Sequence, residues 1–214
     1  MRKIWLFSVG LVGVAFMSAL AQVAPPATPL PTASAALDEG RLDPAWFGVG
    51  LEFRRTNELD YLWVKPGFSI VDRKVRFVPF GEVQVRGPDP SKRDEKDLAL
   101  ARRLNPTLHE ELAAKFHAAF GKHLAVVQEG EDVRVEGRIV DCAESAWRKG
   151  FSFKKIYSLT VDMKVVDAAT GGTVVAIHHR TVSNDWSDWA EEMAEEVQDE
   201  GFAKLYAKGK PVRK

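Results

Sequence analysis

The stretch between residues 133 and 182 decides the fold. It contains VRVEGRIVD at Val133–Asp141, YSLTVDMKV at Tyr157–Val165 and TVVAIHHRTV at Thr173–Val182. In the first two segments apolar and polar residues alternate, which is typical of β-strands with one buried and one solvated face. The segment DAATGG at Asp167–Gly172 supplies a glycine-containing turn before the third. We therefore expect consecutive antiparallel strands here.

Upstream of these strands the sequence predicts a helix. Asn105 is a suitable N-cap, Pro106 a suitable first helical residue and Gly121 a suitable left-handed stop. Large apolar residues recur between them at every fourth position and predict one buried stripe: Leu108, Leu112, Phe116 and Phe120. A further helical segment, Asp97–Leu104, precedes this helix.

Four shorter segments read as extended chain. Tyr61–Val64 is an apolar run that stops at a Pro-Gly turn, and Lys74–Phe80 and Glu82–Arg86 follow it. Lys74–Phe80 is expected to be buried on both faces, with Pro79 marking an edge, a bulge or a strand end. Leu124–Val127 directly follows the helix and suits a buried parallel strand.

The chain is expected to close with a helix over about Asp188–Glu200, in which Trp189, Met193 and Val197 form an apolar stripe. Strand, helix, strand, antiparallel strands and helix then follow one another. This order predicts an α+β fold, with a mixed, largely antiparallel sheet and two main helices packed on one face. The single folded domain is expected to span residues 37–208, with a basic tail at 209–214.

Residues 1–21 have the pattern of a secretory signal peptide. Arg2 and Lys3 are basic, Ile4–Leu20 is largely apolar, and Ala19-Leu20-Ala21 offers a small-residue cleavage site. The alternative is an uncleaved membrane anchor, near the lower length limit for spanning a bilayer. Residues 22–36 are rich in proline and alanine and predict an extended tether. We expect a periplasmic or secreted protein, cleaved near Ala21.

Composition excludes several classes of protein. The 214 residues include 30 basic and 30 acidic side chains, and cleavage after Ala21 would leave a net charge of −2. A strongly basic nucleic-acid-binding domain is therefore not expected. A single cysteine rules out an internal disulfide framework and a multi-cysteine zinc site. Cys142 is interpreted as a buried small apolar residue, the alternative being an intermolecular disulfide or a reactive thiol.

No catalytic, cofactor-binding or metal-binding constellation is recognisable. His178 and His179 are consecutive in a predicted strand, so their side chains should point to opposite faces. His109 and His117 lie eight residues apart on a helix, which is not a chelating spacing. Neither a GxSxG elbow nor a phosphate-binding glycine loop is present. Dispersed carboxylates on separate strands would escape such a search.

One segment has the composition of a contact surface. SAWRKGFSFKK at Ser145–Lys155 is predicted as a basic, aromatic hairpin tip, a composition that can contact an anionic partner, a glycan or a membrane surface. The alternative is that its aromatic rings pack back onto the sheet. The candidate contact residues are Trp147, Arg148, Lys149, Phe151, Phe153 and Lys154.

Several short segments together carry a family resemblance. They are YLWVKPG at Tyr61–Gly67, the strand that ends in VPF at Phe80, LAVV at Leu124–Val127 and DAATG at Asp167–Gly171. This combination resembles bacterial envelope lipoprotein families of unknown function. The domain is similar to that of the curli-secretion lipoprotein and to the amino-terminal domain of TolB. The resemblance covers about residues 57–208, and it implies binding to other envelope components without catalytic residues.

The chain departs from those lipoproteins in one respect, because no cysteine follows the apolar run to carry a lipid. We therefore expect an exported, non-enzymatic protein that binds or helps assemble an envelope protein or polymer, with peripheral membrane contact as one form of binding. The alternatives are a periplasmic hydrolase acting on an envelope polymer and a module that binds a small ligand or lipid. The sequence leaves the oligomeric state open.

Overall fold

One mixed sheet of six strands organises the chain in the computed structural model, which describes residues 37–86, 94–149, 152–183 and 188–199. The spatial order of the strands is β1-β6-β5-β4-β2-β3. Strand β2 is parallel to β3 and β4, and the other neighbouring pairs are antiparallel. The strands are β1 Tyr61–Val64, β2 Arg73–Phe77, β3 Leu124–Val126, β4 Val133–Lys149, β5 Ser152–Asp167 and β6 Thr173–Ser183.

The two longest helices cover one face of this sheet. The helices are α1 Pro44–Phe47, α2 Glu95–Leu104, α3 Leu108–Phe120 and α4 Trp189–Asp199. Helices α3 and α4 pack against each other, and their apolar stripes lie in the main core with the inward residues of β4–β6. This arrangement confirms the expected α+β class. In the described ranges, no helix has the length and apolar character that crossing a bilayer requires.

The antiparallel strands pair as their alternation predicts. Asp162 of β5 lies opposite Arg138 of β4 on one side and opposite His178 of β6 on the other. The turn from β5 to β6 is closed by Asp167, whose carboxylate accepts a hydrogen bond of 2.8 Å from the Thr170 backbone N–H. The parallel strand after helix α3 is also present, but β3 lies at the edge of the sheet and Ala125 is exposed.

Two expectations about element ends are wrong. Asn105 is not the N-cap of α3: it ends α2, its backbone N–H donates to Ala101, and α3 begins at Leu108 after Thr107. Its side chain instead donates to the carbonyl of Gly81 at 3.0 Å. The two strands of the hairpin are longer than the predicted segments Val133–Asp141 and Tyr157–Val165, because β4 runs to Lys149 and β5 begins at Ser152.

The second strand of the sheet also differs from its prediction. Strand β2 ends at Phe77, two residues before Pro79, and only Val75 and Phe77 are buried, so a single face enters the core. Residues 78–86 do not form a regular strand. They lie beside β4 without forming a regular hydrogen-bond ladder. The backbone N–H groups of Gly81 and Gln84 donate to β4 carbonyls at 2.9 Å.

The sheet face opposite the helices is covered by residues Leu37–Phe47, which we call the strap. Leu42 and Phe47 of the strap are buried against Tyr61 and Ala176, in an apolar cluster separate from the main core. Asp43 caps α1 by accepting a hydrogen bond from the Ala45 backbone N–H. Because the strap covers this face, the polar sides of β4 and β5 are not fully solvated, contrary to the alternating pattern.

Gly137 provides a test of packing beside β4. A Cβ atom at this position would lie 2.4 Å from the ring of Phe80, whereas one at Gly81 would meet its nearest neighbour at 3.7 Å. We expect Gly137→Ala to lower the free energy of unfolding by about 1–3 kcal/mol, because Phe80 must move from a packed position. Urea denaturation should show a clearly smaller loss for the matched control Gly81→Ala, and equal losses would contradict this packing.

Candidate functional site

A row of buried charges crosses the sheet under the strap. We call Arg138, Asp162, His178 and Asp38 the ionic row. Arg138 donates to one oxygen of Asp162 through Nε and Nη2, at 2.9 and 2.7 Å. The other Asp162 oxygen lies 2.6 Å from His178 Nδ1, and His178 Nε2 lies 3.0 Å from Asp38. The first three residues come from adjacent strands, and only Asp38 belongs to the strap.

The row alternates in sign when His178 is protonated. Burial alone would lower the pKa of His178, but its hydrogen bonds to Asp162 and Asp38 outweigh burial and raise the pKa above its usual value. The hydrogen bond from His178 likewise lowers the pKa of Asp38. Asp162 and His178 are 0% and 1% exposed. Such burial is tolerated because each charge has an opposite charge beside it.

The strap makes further polar contacts with the sheet side. Arg41 donates to Asp141 at 2.8 Å, and Asp43 lies 3.3 Å from Arg86. The ring of Trp46 faces two cations, with the Lys164 ammonium 4.3 Å and the Arg138 guanidinium carbon 4.6 Å from its centroid. The strap is therefore held by charge as well as by apolar burial.

The ionic row does not have the geometry of an active site. Both ring nitrogens of His178 already contact carboxylates, and the ring is almost completely buried. A general base must reach a substrate proton with a free nitrogen. The alternating pattern conceals this row, because Arg138 and Asp162 alternate with apolar residues as solvated residues would. The only available signal was three charged residues at mutually aligned positions of neighbouring strands.

His178 and His179 point to opposite faces, as predicted for consecutive strand residues. His179 lies on the helix side, with Nδ1 3.2 Å from Asp60 and Nε2 2.9 Å from Glu196 of α4. Burial opposes its charged form, but the two carboxylates raise the pKa of His179 to about 9. The contact with His179 lowers the pKa of Asp60. This ion triplet fixes α4 to the start of β1.

The predicted contact segment lies at the end of the longest hairpin. We call Ser145–Lys149 with Ser152–Ile156 the ribbon. Its five register pairs, from Ser145↔Ile156 to Lys149↔Ser152, lie beyond the last β5–β6 pair, Tyr157↔Ser183. At about 3.3 Å per residue the ribbon extends about 17 Å past β6. At its base Lys155 pairs with Glu144 at 2.7 Å, and Asp97 of α2 accepts a hydrogen bond from the Glu144 backbone.

The six candidate contact residues are placed as follows. Trp147 pairs in register with Lys154, Arg148 pairs with Phe153, and Lys149 pairs with Ser152. Phe151 lies outside the described residues, as do the side chains of the other five candidates. Their role in binding therefore stays a prediction.

Two shallow grooves lie among the described residues. One, of about 250 Å³, lies beside Trp46, Gln84, Glu136 and Arg138. Arg138 in this groove donates to Gln84 and Glu136 contacts Lys164, while the exposed Glu82 also lines it. The other, of about 240 Å³, lies between α3 and the β3 edge, beside His109 and Phe77. Neither brings together polar groups that lack protein partners in a way that defines a ligand site.

Two further features concern metal ligands and the single cysteine. Within the part of the chain that the structure describes, no three His, Cys, Asp or Glu side chains are grouped to hold a metal ion. Cys142 is buried in the main core, 2% exposed, in agreement with its interpretation as a small apolar residue.

Comparisons with known proteins return structural similarity only. No protein-family model matches the chain, and neither does any curated protein sequence. A PelC dodecamer from Paraburkholderia phytofirmans aligns with a TM-score of 0.40 and 13% identity, over 64% of this chain and 91% of that one. A DUF330 family protein from Xanthomonas campestris aligns with a TM-score of 0.34 and 11% identity, over 66% and 86%.

A lipoprotein-like protein from Caulobacter crescentus gives a similar result, with a TM-score of 0.32 and 13% identity over 63% of this chain and 93% of that one. These neighbours include the lipoprotein and unknown-function classes that the sequence resemblance named. The similarity to the curli-secretion lipoprotein and TolB stays a prediction. With TM-scores below 0.5, the matches assign no activity or partner to this chain.

The raised pKa of His179 predicts a specific pH dependence. Its folded-state value of about 9 exceeds the usual 6.5, so its stabilising contribution is complete below pH 6.5 and is lost as pH rises through 9. The difference in unfolding free energy between wild type and His179→Gln should therefore shrink by about 3 kcal/mol between pH 6 and 10.

Urea denaturation at several pH values measures this difference, and His117→Gln on the exposed side of α3 is the control. The control should follow the wild type across the range. A His179 contribution that disappears near pH 6.5 would show that Asp60 and Glu196 do not stabilise the imidazolium.

Proposed function

We propose that this chain is an exported, non-enzymatic protein of the bacterial envelope, which binds another envelope component through the ribbon. The component has an anionic surface, as in an acidic envelope protein or polymer or at the headgroups of a membrane. The observation that carries the proposal is the extension of β4 and β5 beyond the rest of the sheet, with basic and aromatic residues at the end.

The composition of the ribbon supports an anionic partner. From Ser145 to Ile156 the chain carries four basic residues and no acidic one. The single described ion pair of this segment joins Lys155 to Glu144 at the base. Arg148, Lys149 and Lys154 follow further out along the hairpin, where contact with an anionic surface would neutralise their positive charge.

The stability of the ribbon also favours a binding role. An isolated two-stranded hairpin is marginally stable in water, and it becomes stable when a third strand or an apolar layer packs against it. Among the described residues, the ribbon strands pair only with each other over five register positions. A partner that covers the aromatic rings would supply the missing burial, at about 25 cal/mol for each Å² of apolar surface.

A non-enzymatic role is supported by how the titratable groups are used. The imidazoles of His178 and His179 are both buried and both lie between two carboxylates. Each group is thus committed to an internal contact that stabilises the fold. The alternative, a hydrolase, requires two titratable groups to converge in an open cleft, each with a proton or lone pair that no internal hydrogen bond uses.

Site-specific photocrosslinking in intact cells tests the proposal. A photoreactive residue replacing Trp147 or Phe151 should trap one discrete envelope component. The exposed Val49, 98% accessible and outside the ribbon, is the control position and should trap none. The triple variant Arg148→Gln, Lys149→Gln and Lys154→Gln should reduce the crosslinked product at least about tenfold, because it removes three positive charges.

A matched triple variant keeps this test specific. Lys96→Gln, Arg103→Gln and Lys122→Gln change the net charge equally at exposed positions outside the ribbon, and the crosslinked product should persist. Recovery of monomer alone from every ribbon position, or equal loss with both triple variants, would contradict ribbon-mediated binding. Thermal unfolding should differ little between the two triple variants, which separates binding from folding.

A further inference from the structure

We propose that the strap, Leu37–Phe47, is a releasable latch. It leaves the sheet face as a unit, turning about Gly48–Gly50, while the helices and the sheet stay folded.

The first support is the separation of the two apolar clusters. The strap buries Leu42 and Phe47 with Tyr61 and Ala176 on one face, whereas the main core lies on the opposite face. Releasing the strap exposes the small cluster and leaves the packing of α3 and α4 on the sheet unchanged. Local opening of this kind costs less than global unfolding when few buried apolar contacts are lost.

The second support is the arrangement of the ionic row. When Asp38 leaves, Arg138 still donates to Asp162, and Asp162 still contacts His178, because these three residues belong to the sheet. Within the row, His178 Nε2 loses the Asp38 carboxylate, and Arg138 loses its longer contact with Asp43 at 3.7 Å and the ring of Trp46. Water can reach these groups on the face that the strap has left. Opening also breaks the contacts of Arg41 with Asp141 and of Asp43 with Arg86, on the face that becomes open to water. Asp162, the most buried carboxylate of the row, keeps both of its partners.

The third support is the backbone conformation near the start of the strap and directly after its end. Asp38 and Glu39 adopt left-handed conformations, with φ of 48° and 53°, which residues other than glycine rarely adopt. Release of the strap relieves this strain. Immediately after the strap, Gly48 and Gly50 have positive φ angles on either side of the almost fully exposed Val49. Glycines in this setting allow the chain to turn without steric cost.

Release of the strap changes how far the chain that precedes the sheet can extend. The strap continues directly from the proline-rich tether that the sequence predicts at residues 22–36. Its eleven residues span up to about 36 Å when they are released and fully extended. The latch thus gives the connection between the tether and the folded domain two lengths, a short one with the strap docked and a long one with the strap released.

Hydrogen exchange of the full chain, read by mass spectrometry, tests the latch. Strap amides that are hydrogen-bonded in the docked form, such as those of Arg41 and Leu42, should exchange faster than the amides at the centre of β5. Asp38→Asn should increase strap exchange about tenfold and leave β5 exchange nearly unchanged, because it weakens the contact of the strap with His178 and, within the strap, the longer ion pair with Arg41 at 3.7 Å. The adjacent Glu39→Gln, whose side chain is 69% exposed, is the matched control and should change strap exchange far less.

Two results would overturn the latch. Equal protection of the strap and of β5 in the wild type would show that they open only together. A parallel loss of protection in both segments of Asp38→Asn, including complete unfolding of that variant, would show that the strap is an inseparable part of the fold.

Discussion

The carboxylate of Asp162 is the interaction on which the rest of the structure depends. It lies at the centre of the sheet with no exposed surface, and its two oxygens are held by Arg138 on one neighbouring strand and His178 on the other. A buried carboxylate without partners would cost several kcal/mol. The central three strands are therefore restricted to the register that brings both cations to it. That register also sets how far β4 and β5 extend past β6.

The Asp162 carboxylate affects the strap on one face of the sheet and the point at which the ribbon begins. By stabilising the charged form of His178, it provides the cation that Asp38 of the strap contacts. The opposite face is apolar and packs against α3 and α4, so a change in the strap does not require repacking there. The ribbon begins where this fixed register ends, and the proposed binding function uses a part of the hairpin that the core does not need for its own burial.

Local patterns predicted much of the fold because they reflect local physics. The stripe of α3 from Leu108 to Phe120, the antiparallel pairing of β4 with β5 and the turn at Asp167 all appear as expected, although the strap covers the polar side of these strands. Asn105 misled because a good N-cap residue is also a polar residue that can end the preceding helix. The ionic row could not be predicted, since the alternation of Asp162 with apolar residues identifies a second face and not what covers it. Docking of the strap joins residues that are far apart in sequence, such as Asp38 and His178, so no local pattern predicts it.

The central claim is that Asp162 and His178 act as one coupled unit, and a double-mutant cycle tests it most directly. Unfolding free energies are measured for wild type, Asp162→Asn, His178→Gln and the double variant. Each single change should cost about 3 kcal/mol or more, because it leaves a buried charge without its partner. The double change should cost less than the sum of the two by at least about 1.5 kcal/mol. Costs that add to within about 0.5 kcal/mol would contradict the account, because independent sites behave in that way.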